Sequence, residues 1–197
     1  MSQFLPFILF AFVASITPGP TNILVLSSSS QYGWRAALLI VFGACAGAAT
    51  IVLLVGLGLG ELVLGLPWLQ QAMAWLGAGW ISLLAWQLFR SSAAEIDPHD
   101  DQDRVGAWGG AGLQLVNPKT WMMALAVVSV FTGANAGWLH YGTYALLFFL
   151  VAVPCLCAWA ALGQGAVRLL GSARSIKRFN QCMALLLLAS AWAGLLV

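Results

Sequence analysis

One lysine stands in the middle of an apolar stretch. Lys119 has roughly twelve residues of a predicted span (107–131) on either side, or about 18 Å of helix at ~1.5 Å per residue. Its side chain is too short to reach an interface from there. An ammonium at the centre of a bilayer costs on the order of 2.5–3.5 kcal/mol on insertion scales, so Lys119 must face a cavity, an anionic partner, or unpaired backbone carbonyls. Such carbonyls are close at hand, because Asn117-Pro118 precedes it. Proline lacks the N–H of an interior helix bond and crowds the preceding turn, so the helix has to open there. A matching interruption, Thr17-Pro18-Gly19-Pro20-Thr21-Asn22, lies in the first apolar stretch, with Pro18 and Pro118 separated by 100 residues.

Hydrocarbon offers the freed backbone groups no partner, and paired breaks in two halves of a membrane chain point to a substrate site between them. The half-helix that restarts at Pro20 begins with unpaired N–H groups carrying partial positive charge, which suits a carboxylate. Thr17, Thr21, Asn22, Gln114, Asn117 and Thr120 add neutral donors and acceptors. The chemistry that fits is binding of a small zwitterion, with its ammonium met by freed carbonyls and asparagine oxygens. Lys119 has no carboxylate partner inside a span: Glu61 lies at the outer end of the second, and the other five acidic residues cluster between Glu95 and Asp103. The counter-charge is then a substrate carboxylate. The alternative is a hydrated vestibule or unwound backbone. Catalysis of the soluble type finds no support, since His99 and His140 have no triad-like neighbours, and no phosphate-binding loop of the Walker type is present. No cofactor and no nucleic-acid partner are expected.

The elements that position these residues follow from composition. A chain of 197 residues that is 61% hydrophobic and 7% charged has too little polar surface to clothe a soluble domain. A signal peptide is excluded, because no basic residue precedes the first apolar core and the run continues past it. Six segments are long enough to cross hydrocarbon, at about 4–27, 36–59, 68–89, 107–131, 141–163 and 179–197. The last is short, so a five-span version with it at the interface stays open. Arg35, Arg90, Arg104, Arg168, Arg174, Lys177 and Arg178 all fall in the connections after segments one, three and five. That side is therefore cytoplasmic and both termini face out. Trp34, Trp68, Trp86, Trp108 and Trp138 lie near segment ends as an aromatic belt, whereas Trp75, Trp80 and Trp121 must pack deeper.

The expected architecture is all-α and integral to the membrane: one transporter domain over 1–197, built as a 3+3 inverted repeat with helices 1 and 4 broken at prolines. Repeat 1 covers about 1–89, a cytoplasmic loop about 90–106, and repeat 2 about 107–197. Short echoes support it: Gly33-Trp34 recurs as Gly137-Trp138, and Gln71-Ala72-Met73-Ala74 as Gln181-Cys182-Met183-Ala184. Gly43 and Gly47 have GxxxG spacing, open to close packing within the chain, a dimer face, or a sliding surface. Self-association into a homo-oligomer is left open. The acidic loop with His99 reads as solvated connection rather than metal site, and the basic run 168–178 as a topology determinant that also attracts anionic lipid headgroups. Cys45, Cys155, Cys157 and Cys182 lie in apolar runs and read as packing residues.

Pro18-Gly19-Pro20 followed by Thr21-Asn22-Ile23-Leu24, together with Asn117-Pro118-Lys119, resembles the lysine exporter and homoserine/threonine resistance (LysE/RhtB) family of amino-acid exporters. The resemblance covers essentially the whole chain, including its glycine-rich second span and hydrophilic central loop. The family commonly places a polar residue such as Asn directly after Pro-Gly-Pro; here Thr21 stands there and Asn22 follows. Members with two successive polar residues at that place include cysteine and O-acetylserine exporters, which the chain also resembles around Asn22 to Ser28. The resemblance implies export of small amino acids or derivatives across the bacterial inner membrane, with protons as coupling ion under the proton-motive force. The implied substrate-binding set is Thr17, Pro18, Gly19, Pro20, Thr21, Asn22, Gln114, Asn117, Pro118 and Lys119. A carrier of electrons through Cys45 and Cys155, at matching places in the two repeats, is the alternative, and a heavy-metal exporter a third reading.

Overall fold

The computed structural model describes residues 4–90, 105–132, 136–170 and 172–193, and the regular structure among them is entirely helical. The prolines set its plan. Helices α1 (Phe4–Ile16) and α2 (Pro20–Tyr32) meet at a bend of 56°, and α5 (Ala107–Val116) and α6 (Pro118–Thr132) at one of 72°. Each bent pair is followed by a long helix and a further one: α3 (Trp34–Leu64) and α4 (Pro67–Arg90), then α7 (Trp138–Leu170) and α8 (Ala173–Ala193). The echoed Trp34 and Trp138 each open a long helix. Three helices, α3, α4 and α7, are long and apolar enough to cross a membrane, or five spans with each bent pair counted as one. Over its described residues α8 falls short of that mark, because Arg174, Lys177, Arg178, Asn180 and Gln181 occupy its first turns. Residues 91–104 of the predicted loop (about 90–106), with its carboxylates and His99, lie outside the described residues, as do 194–197.

The ends of α2, α3 and α7 and the start of α8 all run past the bounds of the hydropathy reading. The first apolar segment ends at Ser27 by sequence, yet α2 continues through Ser28, Ser29 and Ser30 to Tyr32, and all four serines are buried. Three of their hydroxyls donate to carbonyls: Ser27 to Ile23 at 2.6 Å, Ser30 to Ser27 at 2.7 Å, and Ser29 across to Ala160 on α7 at 2.6 Å. Helix α7 is likewise 33 residues long, continuing past the apolar stretch to Leu170. Hydropathy marks where side chains are greasy, whereas helix bonding needs only backbone. Gly33 ends α2 with φ 83°, a conformation that favours glycine, and its N–H bonds Ser29 at 3.1 Å, so α3 starts one residue later.

Helix α2 is the central element. From Pro20 to Ser30 every residue is buried, against α3, α7 and α8. Helix α5 is gripped by glycines: a methyl on Gly43 of α3 would stand 1.9 Å from the Ala107 carbonyl oxygen, and one on Gly77 of α4 would stand 2.1 Å from that of Val116. Gly110 of α5 returns the contact, coming against Ile40 of α3. The Gly43/Gly47 face is thus a contact within the chain. At the other end of the fold the rings of Phe7, Phe131 and Tyr144 meet edge to face, with centroids 5.6 and 4.7 Å apart. Trp75 and Trp80, expected to pack deeper, are instead 59% and 47% exposed on the outer surface of α4. There Trp75 meets Trp192 of α8 at 6.1 Å, because an apolar surround lets a large ring stay outside the core.

Backbone is hard to move aside, so Gly43→Ala is expected to lower the unfolding midpoint in detergent by the equivalent of at least about 1–3 kcal/mol. Gly79→Ala, where a methyl meets nothing within 4 Å, should leave the midpoint unchanged.

Candidate functional site at the two helix breaks

At the first break α1 stops at Ile16, and Gly19 holds an extended conformation (φ −169°, ψ 177°) before Pro20 opens α2. Carbonyls of the last turn of α1 thereby lose their helix partners. Side chains from three different helices replace them. Asn22 of α2 donates from Nδ2 to Ser15 at 2.8 Å, Trp159 of α7 from Nε1 to Ile16 at 3.1 Å, and Lys119 of α6 from Nζ to Thr17 at 2.8 Å. The ammonium therefore lies at the negative end of a helix, an arrangement worth up to about 2 kcal/mol when partly buried. At the other side of this break, the N-terminus of α2 has no side-chain cap.

The second break is capped from within. Asn117 is extended, and its Oδ1 accepts from the Lys119 backbone N–H at 3.2 Å. Trp121 donates from Nε1 to the Leu115 carbonyl at 2.9 Å.

A buried polar network joins the two breaks. The Thr21 hydroxyl oxygen accepts from Gln114 Nε2 at 3.1 Å and from Asn117 Nδ2 at 3.4 Å. Gln114 Oε1 in turn accepts from the Thr120 hydroxyl at 2.7 Å. Thr21, Asn22, Gln114, Asn117 and Thr120 are all buried, while Lys119 is half-buried. These six line one pocket of about 40 Å³, closed on its apolar side by Ala44, Cys45 and Ala48 of α3, Phe148, Ala152 and Leu156 of α7, and Met123. The space holds a few water molecules, since a single water needs about 10–15 Å³ measured the same way.

Of the residues singled out by sequence, Thr21, Asn22, Gln114, Asn117 and Lys119 come together on this pocket. Thr17, Pro18, Gly19, Pro20 and Pro118 do not line it; they shape the breaks, and Thr17 contributes its carbonyl. Sequence reasoning did not find Trp159. Its signal was an indole in mid-span, whose N–H must find an acceptor when buried. Among the described residues Lys119 is the one ionisable amine on the pocket, and no carboxylate of theirs lines it. The four cysteines are free thiols, with Cys45 on the pocket wall. Among the described residues no three His, Cys, Asp or Glu side chains gather to hold a metal.

The model of the LysE type translocator family matches residues 12–193. The chain belongs to that family. Among the curated relatives of this LysE-type translocator is the cysteine/O-acetylserine efflux protein of Salmonella typhimurium, 32% identical over 184 residues that make up 90% of each chain. Proteins of the same name from Klebsiella pneumoniae and Escherichia coli are 33% identical over 125 residues and 28% identical over 158. These matches cover 64% and 79% of this chain and 63% and 79% of the relatives. No solved structure matches. The family and the apolar helices together make the chain a multi-pass membrane translocator.

Interhelical hydrogen bonds in membrane proteins contribute about 0.6 kcal/mol each on average. Gln114→Leu removes the hub of the network, and its unfolding midpoint in detergent should fall by the equivalent of about 1–3 kcal/mol, the cost of stranding buried partners.

Proposed function

We propose that this translocator exports small neutral amino acids or close derivatives, of the cysteine and O-acetylserine kind named in its relatives, from the bacterial cytoplasm. One observation carries the reading: the Lys119 ammonium lies on a pocket that no carboxylate of the described residues lines, against Gly19 at the uncapped N-terminus of α2. A carboxylate bound there gains a charge-assisted bond to Lys119 and the unpaired N–H groups of the first turn of α2. The substrate's ammonium is met by the Asn22 oxygen, with Asn117 shaping the polar wall. Short side chains fit the opposite wall of alanines and Cys45. Access to the pocket from each side of the membrane in turn requires the helices around it to part, as alternating access demands.

The two bent pairs, each followed by two helices, support a 3+3 inverted repeat in which α8 completes the sixth span. Basic residues at the α2/α3 and α7/α8 junctions and at the end of α4 support a cytoplasmic face there and termini on the outside. Coupling to the proton-motive force is part of the same proposal.

Cells expressing the protein and loaded with a panel of amino acids provide the test. Release of one or a few small neutral amino acids is expected, and Lys119→Ala should reduce it at least tenfold while the protein remains in the membrane. Undiminished release by that variant would remove Lys119 from the mechanism. Replacing all four cysteines by Ala or Ser should keep at least half of the efflux rate; a folded cysteine-free protein without activity would favour the thiol carrier instead.

A further inference from the structure

Lys119 and Gly19 belong to different breaks, on α6 and at the start of α2, yet they touch. A methyl group built on Gly19 would stand 3.3 Å from both Cδ and Nζ of Lys119, closer than ordinary van der Waals contact. The next-nearest atom to that methyl is the Asn22 side-chain oxygen, at an unstrained 3.7 Å. Gly19 has an extended backbone, which residues other than glycine adopt without strain and which suits a position before proline. Its conformation therefore does not call for glycine. Its space favours one, because the stem of Lys119 passes over it to reach the Thr17 carbonyl two residues upstream, and a methyl there would push that stem aside by a few tenths of an ångström.

We propose that Gly19 is a positioning residue for Lys119. Its bare backbone and the Thr17 carbonyl form a slot that holds the ammonium at the junction of the two breaks. The slot does two things. It fixes the cation beside the N-terminus of α2, where the carboxylate is received, and it ties α6 to the end of α1 through one bond between side chain and backbone. Gly19 contacts no substrate in this scheme and acts through Lys119 alone. The assignment of the carboxylate to Lys119 rests on the function proposed above; the slot itself rests on the contacts.

Gly19→Ala separates these effects, since it leaves the backbone relaxed and crowds only the lysine. The KM for efflux should rise about tenfold, equivalent to about 1.4 kcal/mol, with the maximal rate within about twofold of wild type. In detergent, Gly19→Ala should lower the unfolding midpoint of the wild-type protein but leave that of Lys119→Ala unchanged, because the group it crowds is gone. An equal drop in both backgrounds, or an unchanged KM, would overturn the slot. If the wild-type protein releases no amino acid, the exporter reading fails, and the double-mutant cycle of unfolding midpoints still decides whether Gly19 seats Lys119.

Discussion

A helix broken inside a membrane must find new partners for the backbone groups it frees, and the rest of this structure depends on how that is done. The hydrocarbon supplies none. At the first break the answer comes from three directions, with Asn22 and Trp159 taking carbonyls of the last turn of α1 and Lys119 that of Thr17 just beyond it. Those three side chains come from α2, α7 and α6, so satisfying one helix end fixes the relation of three other helices to it. The second break is more self-contained, with Asn117 and Trp121 serving their own segment. The asymmetry has a functional side. The break that borrows its partners is the one whose partners have to move if the helices around it rearrange.

Close approach of helices makes this arrangement rigid enough to be useful. Lipid tails are as apolar as the side chains they surround, so helices gain from contact mainly through fit and hydrogen bonding. Glycines at 43, 77 and 110 bring α5 against α3 and α4 at backbone distance, which fixes where α5 ends and therefore where Asn117 and Gln114 point. Ser27, Ser29 and Ser30 of α2 provide a second kind of fit, polar but satisfied, with Ser29 bonded directly to α7. A pocket large enough only for a few waters follows from this packing. Its walls divide by chemistry: amides, hydroxyls and one ammonium on the side of the breaks, alanines, Cys45 and a phenyl ring on the other.

A positive charge in this setting is stabilised by the negative end of α1, which is aimed at it. A full counter-charge would neutralise Lys119 and leave it with little to offer an incoming anion. A helix end compensates it only in part, and the carbonyl can share the ammonium's three donors with another acceptor. The same geometry accounts for the reading of the cysteines. Cys45 stands on the pocket wall among alanines, where a small apolar group suffices, and the four thiols are unpaired.

Much of this was determined by sequence alone. The places of the helices, the two breaks, the central lysine and the polar residues beside it are local features, since proline acts on its own turn and hydropathy sums along the chain. Thr21, Asn22, Gln114, Asn117 and Lys119 could be named as neighbours of the breaks for that reason. What only the tertiary structure decided is which groups meet across helices. Nothing in the run of residues told that Lys119 bonds Thr17, that Gly19 clears its path, or that Trp159 caps Ile16, for these pairs are 102, 100 and 143 residues apart. The buried serines were invisible for a related reason: hydropathy scores a hydroxyl as polar without knowing that a neighbouring carbonyl will accept its hydrogen bond. Local chemistry writes the elements and their interruptions, and three-dimensional packing selects the partners that make the interruptions affordable.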